Sequence, residues 1–351
     1  MNKVKQFHEI FESSFNDSEE WRRWFFAQVA DEPDDIFVGY DGGGRAVTAL
    51  LMQEYDFVYQ GETFPGAYIS CVGTRPEARM KGASTHLLAE TLAAARERGL
   101  AVCSLIPAQR HLYPFYDRLG FAGVYYIDEE RYTSPHVFHI GDAQEITPDY
   151  EVFSDLESRS GWGVRHSRTQ FADIVVEAGI GSGSKTVAVE LPDGAKAILL
   201  AVYSDKQDAA VEVKWLLADN DAAADAALGI LRQKVGERGL TVWRPAISGL
   251  RARMRAHGMI RIVDPMALLQ AMAEKFPSMV YRIRIRDEQL PENTGVYTIS
   301  GGQCTYAAET HEKLDLDVPV EVLAEILFSD QTMGGVFGLP TARPSMALML
   351  D

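Results

Sequence analysis

The 351-residue chain has no run of roughly 18 apolar residues, so no membrane span is expected. Cysteine is scarce. Cys71, Cys103 and Cys304 lie far apart, without metal-ligand spacing. The opening stretch from Met1 to Glu9 lacks the apolar core of a signal peptide. An odd count of scattered cysteines without an export signal points to reduced thiols in a cytoplasm. The histidines show neither metal nor triad spacing, and no Ser/His/Asp arrangement stands out, so no metal is expected. Basic charge is also short: 34 Lys and Arg face 50 Asp and Glu, a formal charge of −16. That balance makes nucleic acid and anionic membrane poor partners. It attracts a cationic substrate such as an amine, and it equally keeps the chain soluble.

The charged fraction of 24% and the hydrophobic fraction of 46% are those of a globular protein. The length exceeds what one core usually serves, so two or three domains are expected. Phe11, Phe15, Trp21, Trp24 and Phe25 keep a helical period, which Asp31-Glu32-Pro33-Asp34-Asp35 breaks. Strands are expected over 36–40, 46–59 and 63–74, with a turn at Asp41-Gly42-Gly43-Gly44. A helix then buries Leu87, Leu88, Leu92 and Ala95 and ends at Arg96-Glu97-Arg98-Gly99, where cations suit the dipole and Gly99 caps. The apolar run Ala101–Ile106 is a strand, and a crossover helix between two such strands points to a parallel pair.

Between these elements lies the most informative segment, Val72-Gly73-Thr74-Arg75-Pro76-Glu77-Ala78-Arg79-Met80-Lys81-Gly82-Ala83-Ser84. A strand runs into a short basic turn that opens directly into a helix. Free N–H groups then gather at the positive end of a helix dipole, as a diphosphate requires. Gly82 lets main chain approach a ligand closely. Arg79-Met80-Lys81-Gly82-Ala83-Ser84 resembles the acyl-CoA-binding motif of the GNAT acetyltransferases, Arg/Gln-x-x-Gly-x-Gly/Ala, with Ser84 in place of the last Gly or Ala. The resemblance implies acetyl-CoA as co-substrate, its diphosphate on the N–H groups of residues 80 to 85, Thr85 included. Its pantetheine arm would pair with the strand at Val72, Gly73 and Thr74.

A second copy of the pattern follows. A hairpin over 186–203, a strand at Val211–Leu217 and a helix from Asp221 to Arg238 lead to Glu237-Arg238-Gly239-Leu240, which matches Glu97-Arg98-Gly99-Leu100. Its strand-to-helix residues, Ala218-Asp219-Asn220-Asp221-Ala222, carry acid where the first copy carries Arg and Lys. Carboxylates repel a diphosphate, so only the first unit should hold the cofactor. A third region has a helix over 266–276, a strand with one wet face at Tyr281–Arg286, a strand at 296–300 and a helix at 320–328. The tail from Gly334 to Asp351 is too apolar for a disordered end and is expected to pack.

Tyr116-Asp117-Arg118-Leu119-Gly120-Phe121 resembles the GNAT Tyr-x-x-x-Gly-Phe element, whose tyrosine sits beside the acetyl-CoA sulfur. A departing thiolate needs a proton or a hydrogen bond, and a phenol supplies either. Tyr113 competes for that role. His111 offers a base, although its loop position suits a residue beside the cofactor, as does that of Leu112.

The order of all these segments, with Gly258–Asp264 and Ile285-Arg286-Asp287 before Glu292-Asn293-Thr294-Gly295-Val296-Tyr297, resembles the enhanced-intracellular-survival (Eis-like) acetyltransferases. The resemblance implies an α/β (α+β) chain of tandem GNAT-like mixed-sheet units followed by a sterol-carrier-protein-like domain. The implied divisions are 1–145, 146–262 and 263–351. It implies direct acetyl transfer from acetyl-CoA to a primary amine of a cationic small molecule or of a peptide lysine. It also implies a homo-oligomer, and a terminal carboxylate returning to the active site as general base, here on Asp351 by its α-carboxylate or its side chain. The alternative is a lipid- or acyl-binding protein in which the GNAT unit is only a scaffold.

Overall fold

The computed structural model describes residues 2–159, 162–181, 183–204, 209–245, 254–328, 334–338 and 346. The aromatic period over 11–25 predicts one helix, but the chain makes two, α1 (Lys3–Ser14) and α2 (Glu19–Gln28). Phe15 is extended, and the Ser18 hydroxyl accepts the N–H of Trp21 at 3.1 Å. That cap satisfies an orphan donor of a new helix, and Glu19 and Glu20 suit its positive end. Phe7, Ile10 and Phe11 are fully buried on one face of α1, and Trp21 stacks on Phe11 and Phe25.

β1 (Ile36–Tyr40), β2 (Ala46–Tyr59) and β3 (Glu62–Thr74) form an antiparallel meander. α3 (Ala83–Glu97) crosses over to β4 (Val102–Leu105), which runs parallel to β3 as expected from the sequence. α4 (Tyr113–Asp117) and β5 (Ala122–Tyr132) follow. The faces of β2 alternate with period two. Ala49 and Leu51 enter the core under α1 and α2, whereas Leu50 and Met52 enter the core under α3.

The second unit contains β6 (Gln144–Ile146), α5 (Tyr150–Ser158), β7 (Trp162–Arg165), α6 (Arg168–Glu177), β8 (Gly183–Glu190), β9 (Lys196–Tyr203), β10 (Val211–Ala218), α7 (Asp221–Val235) and β11 (Leu240–Pro245). β10 and β11 are parallel about α7, as β3 and β4 are about α3. The helix ends differ. Gly99 holds the left-handed position after α3, at φ +76°, but Gly236 holds it after α7, at φ +75°, three residues before the matching Gly239.

β12 (Met254–Ile262) does not stay with the second unit's strands. It inserts between β4 and β5, antiparallel to both. The far half of β5 pairs with β11, so among the described residues one sheet runs β1-β2-β3-β4-β12-β5-β11-β10-β9-β8-β6, with β7 on β2. The mixed α/β fold expected from the sequence is present.

The third unit contains α8 (Pro265–Lys275), β13 (Tyr281–Arg286), β14 (Gly295–Ser300), β15 (Gln303–Ala307), β16 (Leu316–Pro319), α9 (Val320–Phe328) and α10 (Gly334–Phe337). Its sheet runs β15-β14-β13-β16. α9 buries Leu323 and Leu327 in a core shared with Val124 of β5 and Ile260 of β12, and Phe328 meets Phe57 and Tyr59 edge-on. Met346 is buried in the same core and packs on Gly258 of β12. No described helix is long and apolar enough to cross a membrane.

Candidate functional site

The loop after β3 is built around two left-handed residues. Met80 has φ +60° and Gly82 has φ +81°. Gly82 accepts this without strain and has open space where a Cβ would sit. Met80 is fully exposed and holds a conformation that non-glycine residues rarely adopt. Turns of this kind gather successive main-chain N–H groups into an anion-binding concavity. The Arg79 Nε donates to the Thr74 carbonyl at 3.0 Å, which ties the loop back to the strand end.

Gly82 is also the N-cap of α3. No side chain caps that end and the first turn holds no acid, so the amides of Ala83, Ser84 and Thr85 remain open to a ligand. The corresponding end of α7 is closed. The Asn220 Oδ1 accepts the Ala223 N–H at 2.9 Å, Asp221 lies in the first turn, and Asp219 engages the Lys196 N–H and Arg159.

β3 and β4 pair only from Gly66 to Tyr68. β4 ends at Leu105 and stays with β12, whereas β3 runs on to Thr74. The edge of β3 from Ile69 onward therefore lacks a strand partner on the β4 side among the described residues. A bulge lies in this stretch. Ala49 faces Gly73 and Leu51 faces Ser70, so Cys71 and Val72 together oppose Leu50, and Cys71 takes φ +52°. Gly73 is buried, and its carbonyl accepts the Thr48 hydroxyl at 2.8 Å. A Cβ there would press on Ser14 and Phe15 at 3.1 Å, so glycine lets the end of α1 settle on the strand.

The splayed strands open a cleft of about 710 Å³. β3 contributes Tyr68, Ser70 and Cys71, and the segment after β4 contributes Ile106 to Arg110 and Tyr113. Phe11, Phe15, Asp17 and Trp21 close one side, while Trp243 of β11 and Ala256 and His257 of β12 close another. His257 is the extra residue of a bulge, since Ala256 faces Tyr126 and Gly258 faces Tyr125.

α4 starts at Tyr113, with Pro114 in the first turn, and Tyr116 lies near its end. It is buried in the core under α3 with Ile69, against which Val72 and Leu112 also pack. Burial pushes its hydroxyl up to about 12, so it is protonated at neutral pH. Gly120 has φ +82°, and a Cβ there would meet the Arg261 Nε at 2.8 Å, which explains glycine in this element. Tyr113, unlike Tyr116, lines the cleft. His111 is exposed on the 3-10 turn Arg110–Leu112 beside it.

Residues 1–124 match the family described as acetyltransferase (GNAT) domain. The chain carries a GNAT acetyltransferase domain. No curated protein matches it in sequence. Among solved structures, a probable N-acyltransferase of Enterococcus faecalis V583 superposes with a TM-score of 0.77 at 17% identity, over 99% of this chain and 97% of that one. The GCN5-related N-acetyltransferase of Anabaena variabilis ATCC 29413 gives 0.73 at 15%, over 98% and 96%. Eis1 of Mycobacterium abscessus gives 0.70 at 18%, over 98% and 92%. These likenesses extend the shared fold over nearly the whole chain.

Around the GNAT domain, the structure brings Val72, Gly73, Thr74 and the 79–85 loop to one end of β3, and packs Leu112 and Tyr116 on the α3 side of that strand. Asp351 lies outside the described residues. Trp243 and His257 have no signal in the sequence, because only the insertion of β12 and the β5–β11 pairing carry them to this domain. The aromatic density of residues 11–26 is the one local hint of the cleft. Burial raises the Cys103 thiol to about 12 and the Cys304 thiol to about 11, which suits neither to act as a nucleophile.

Proposed function

We propose that this protein transfers the acetyl group of acetyl-CoA to a primary amine by direct attack. The observation that carries the reading is the uncapped, acid-free start of α3 beside the part of β3 that β4 does not pair with, set against the capped and acidic start of α7. The residues present fit the co-substrate. The N–H groups of residues 80 to 85 hold its diphosphate, Arg79 and Lys81 add positive charge, and Val72 to Thr74 pair with its pantetheine arm. His111 and Leu112 border it. Acetyl-CoA supplies an activated acyl carbon and a thiolate leaving group.

The acceptor amine enters from the α1–α2 side of the splayed strands, opposite the α3 side from which the diphosphate loop opens. The amine nitrogen bonds to the acyl carbon as the carbon–sulfur bond breaks. Tyr116 gives its proton to the leaving sulfur, since it lies on the α3 face of β3 and remains neutral. The amine's proton passes to a carboxylate of Asp351. Met346 supports that assignment. It anchors the tail on Gly258, next to His257 on the cleft wall, and residues 347–351 span at most roughly 17 Å when extended.

In this reading 1–145 is the catalytic unit, 146–262 a degenerate second unit, and 263–351 a sterol-carrier-protein-like domain. The four-stranded sheet of the third unit, with α8 and α9 packed in its core, supports the last assignment. The protein works in the cytoplasm and assembles as a homo-oligomer. Calorimetric titration with acetyl-CoA, followed by thiol release on adding amines, tests the proposal. Absence of acetyl-CoA binding rejects it, and binding of fatty acyl chains alone favours the lipid carrier.

A further inference from the structure

We infer that the preferred acceptor is a monoamine with an aromatic body, selected by Trp243 and His257 of the strands that complete the cleft. The inference rests on the acetyltransferase reading above and narrows its substrate class.

The walls of the cleft are aromatic on both sides. Phe11 of α1, Phe15 just after it and Trp21 of α2 line one side, and Trp243 of β11 and His257 of β12 another, with their ring planes 73° apart and centroids at 5.9 Å. Such walls take up a flat ring by offset or edge-on packing. A cation can also sit over aromatic faces, so charge decides between the two uses. The chain carries −16 overall, yet the cleft lining holds one carboxylate, Asp17, and one guanidinium, Arg110.

The Lys214 ammonium lies 4.3 Å from the centre of the Trp243 ring, where it occupies one face, and it is paired with Glu212 at 3.2 Å. Glu177 is also close, but it accepts the Trp21 indole N–H at 2.9 Å from outside the lining. One ammonium group finds a counter-charge in Asp17. Each further ammonium of a polyamine meets Arg110 instead. A volume of about 710 Å³ accommodates an aromatic ring with its alkyl amine beside the thioester.

The test uses the full-length protein saturated with acetyl-CoA and measures thiol release with tryptamine, 2-phenylethylamine, hexylamine, a lysine peptide and spermidine. The aromatic amines should exceed spermidine in kcat/KM by about 10–100-fold, with hexylamine between them. Trp243→Ala should raise KM for tryptamine about tenfold while acetyl-CoA affinity, read by calorimetry, is unchanged, and Trp243→Phe should recover most of the loss. Arg110→Ala should improve spermidine selectively. Spermidine or the lysine peptide as best substrate overturns this inference and leaves the acetyltransferase reading intact. Equal losses for every amine in Trp243→Ala overturn it as well. No acetyl-CoA binding in the wild type rejects both.

Discussion

Arg261 of β12 and Asp287 after β13 form a fully buried ion pair, with 2.5 Å between Nη2 and Oδ1. Every remaining polar atom of the pair is engaged. The Arg261 Nε donates to the Leu119 carbonyl and its Nη1 to the Ile262 carbonyl. Asp287 also accepts from the N–H groups of Gln289 and Leu290 and from the Asn293 side chain. Arg96 of α3 joins the network through Asn293 and the Val263 carbonyl. The pair therefore links the end of the Tyr116 element to the third unit. Removing one partner leaves a buried charge alone, so Asp287→Ala should cost about 3–5 kcal/mol in urea unfolding. Arg261→Met with Asp287→Leu should recover much of that loss, because the desolvation penalty goes with the charges.

The open end of α3 gives a binding prediction. Thr85→Glu adds a carboxylate to its first turn at an exposed position. It should weaken acetyl-CoA binding tenfold or more, about 1.4 kcal/mol, by calorimetry. Asp221→Glu at the start of α7 should leave that affinity unchanged.

Tyr116→Phe should lower turnover about 10–1000-fold with acetyl-CoA affinity largely kept. Tyr113→Phe should act mainly on KM for the amine, because Tyr113 lines the cleft. The reverse ranking would exchange their roles. The Tyr116 hydroxyl, raised by burial to about 12, stays protonated well past its ordinary value near 10. No alkaline loss of turnover from this group is expected below about pH 10. Burial raises Tyr55, Tyr59, Tyr125 and Tyr297 in the same direction. An acid raised on folding stabilises fully below its unfolded value, and that contribution is lost as pH climbs through the folded one. Urea midpoints should hold to about pH 10 and fall between about 10 and 12.

The tail gives the fourth prediction. A C-terminal extension moves the α-carboxylate of Asp351, whereas Asp351→Ala keeps it. If the main-chain carboxylate is the base, the extension should cost more activity than the substitution. Met346→Asp should mimic the extension, because the buried anchor on Gly258 is lost. Initial rates at saturating acetyl-CoA measure all three.

Much of the local structure was legible because it depends on neighbouring residues. A strand, a basic turn and a helix start are read from neighbouring residues, and so was the contrast between Lys81-Gly82-Ala83 and Asp219-Asn220-Asp221. Gly99 and Gly120 stand where main-chain φ is positive, and glycine is the residue that meets this at least cost. The split between α1 and α2 was legible in principle, from Ser18 before two glutamates, but the aromatic period across it masks the break.

The sequence by itself determined β1 to β4, the α/β pattern repeated around α7 and the acid-free N-terminus of α3, since helical and strand periods and caps depend on residues a few positions apart. Only the tertiary structure decided that β12 lies between β4 and β5, that Trp243 and His257 face Phe11 and Trp21 across one cleft, and that Met346 returns to Gly258. Strand pairing joins residues distant in sequence by main-chain hydrogen bonds that any side chain permits, so order along the chain does not specify the partner.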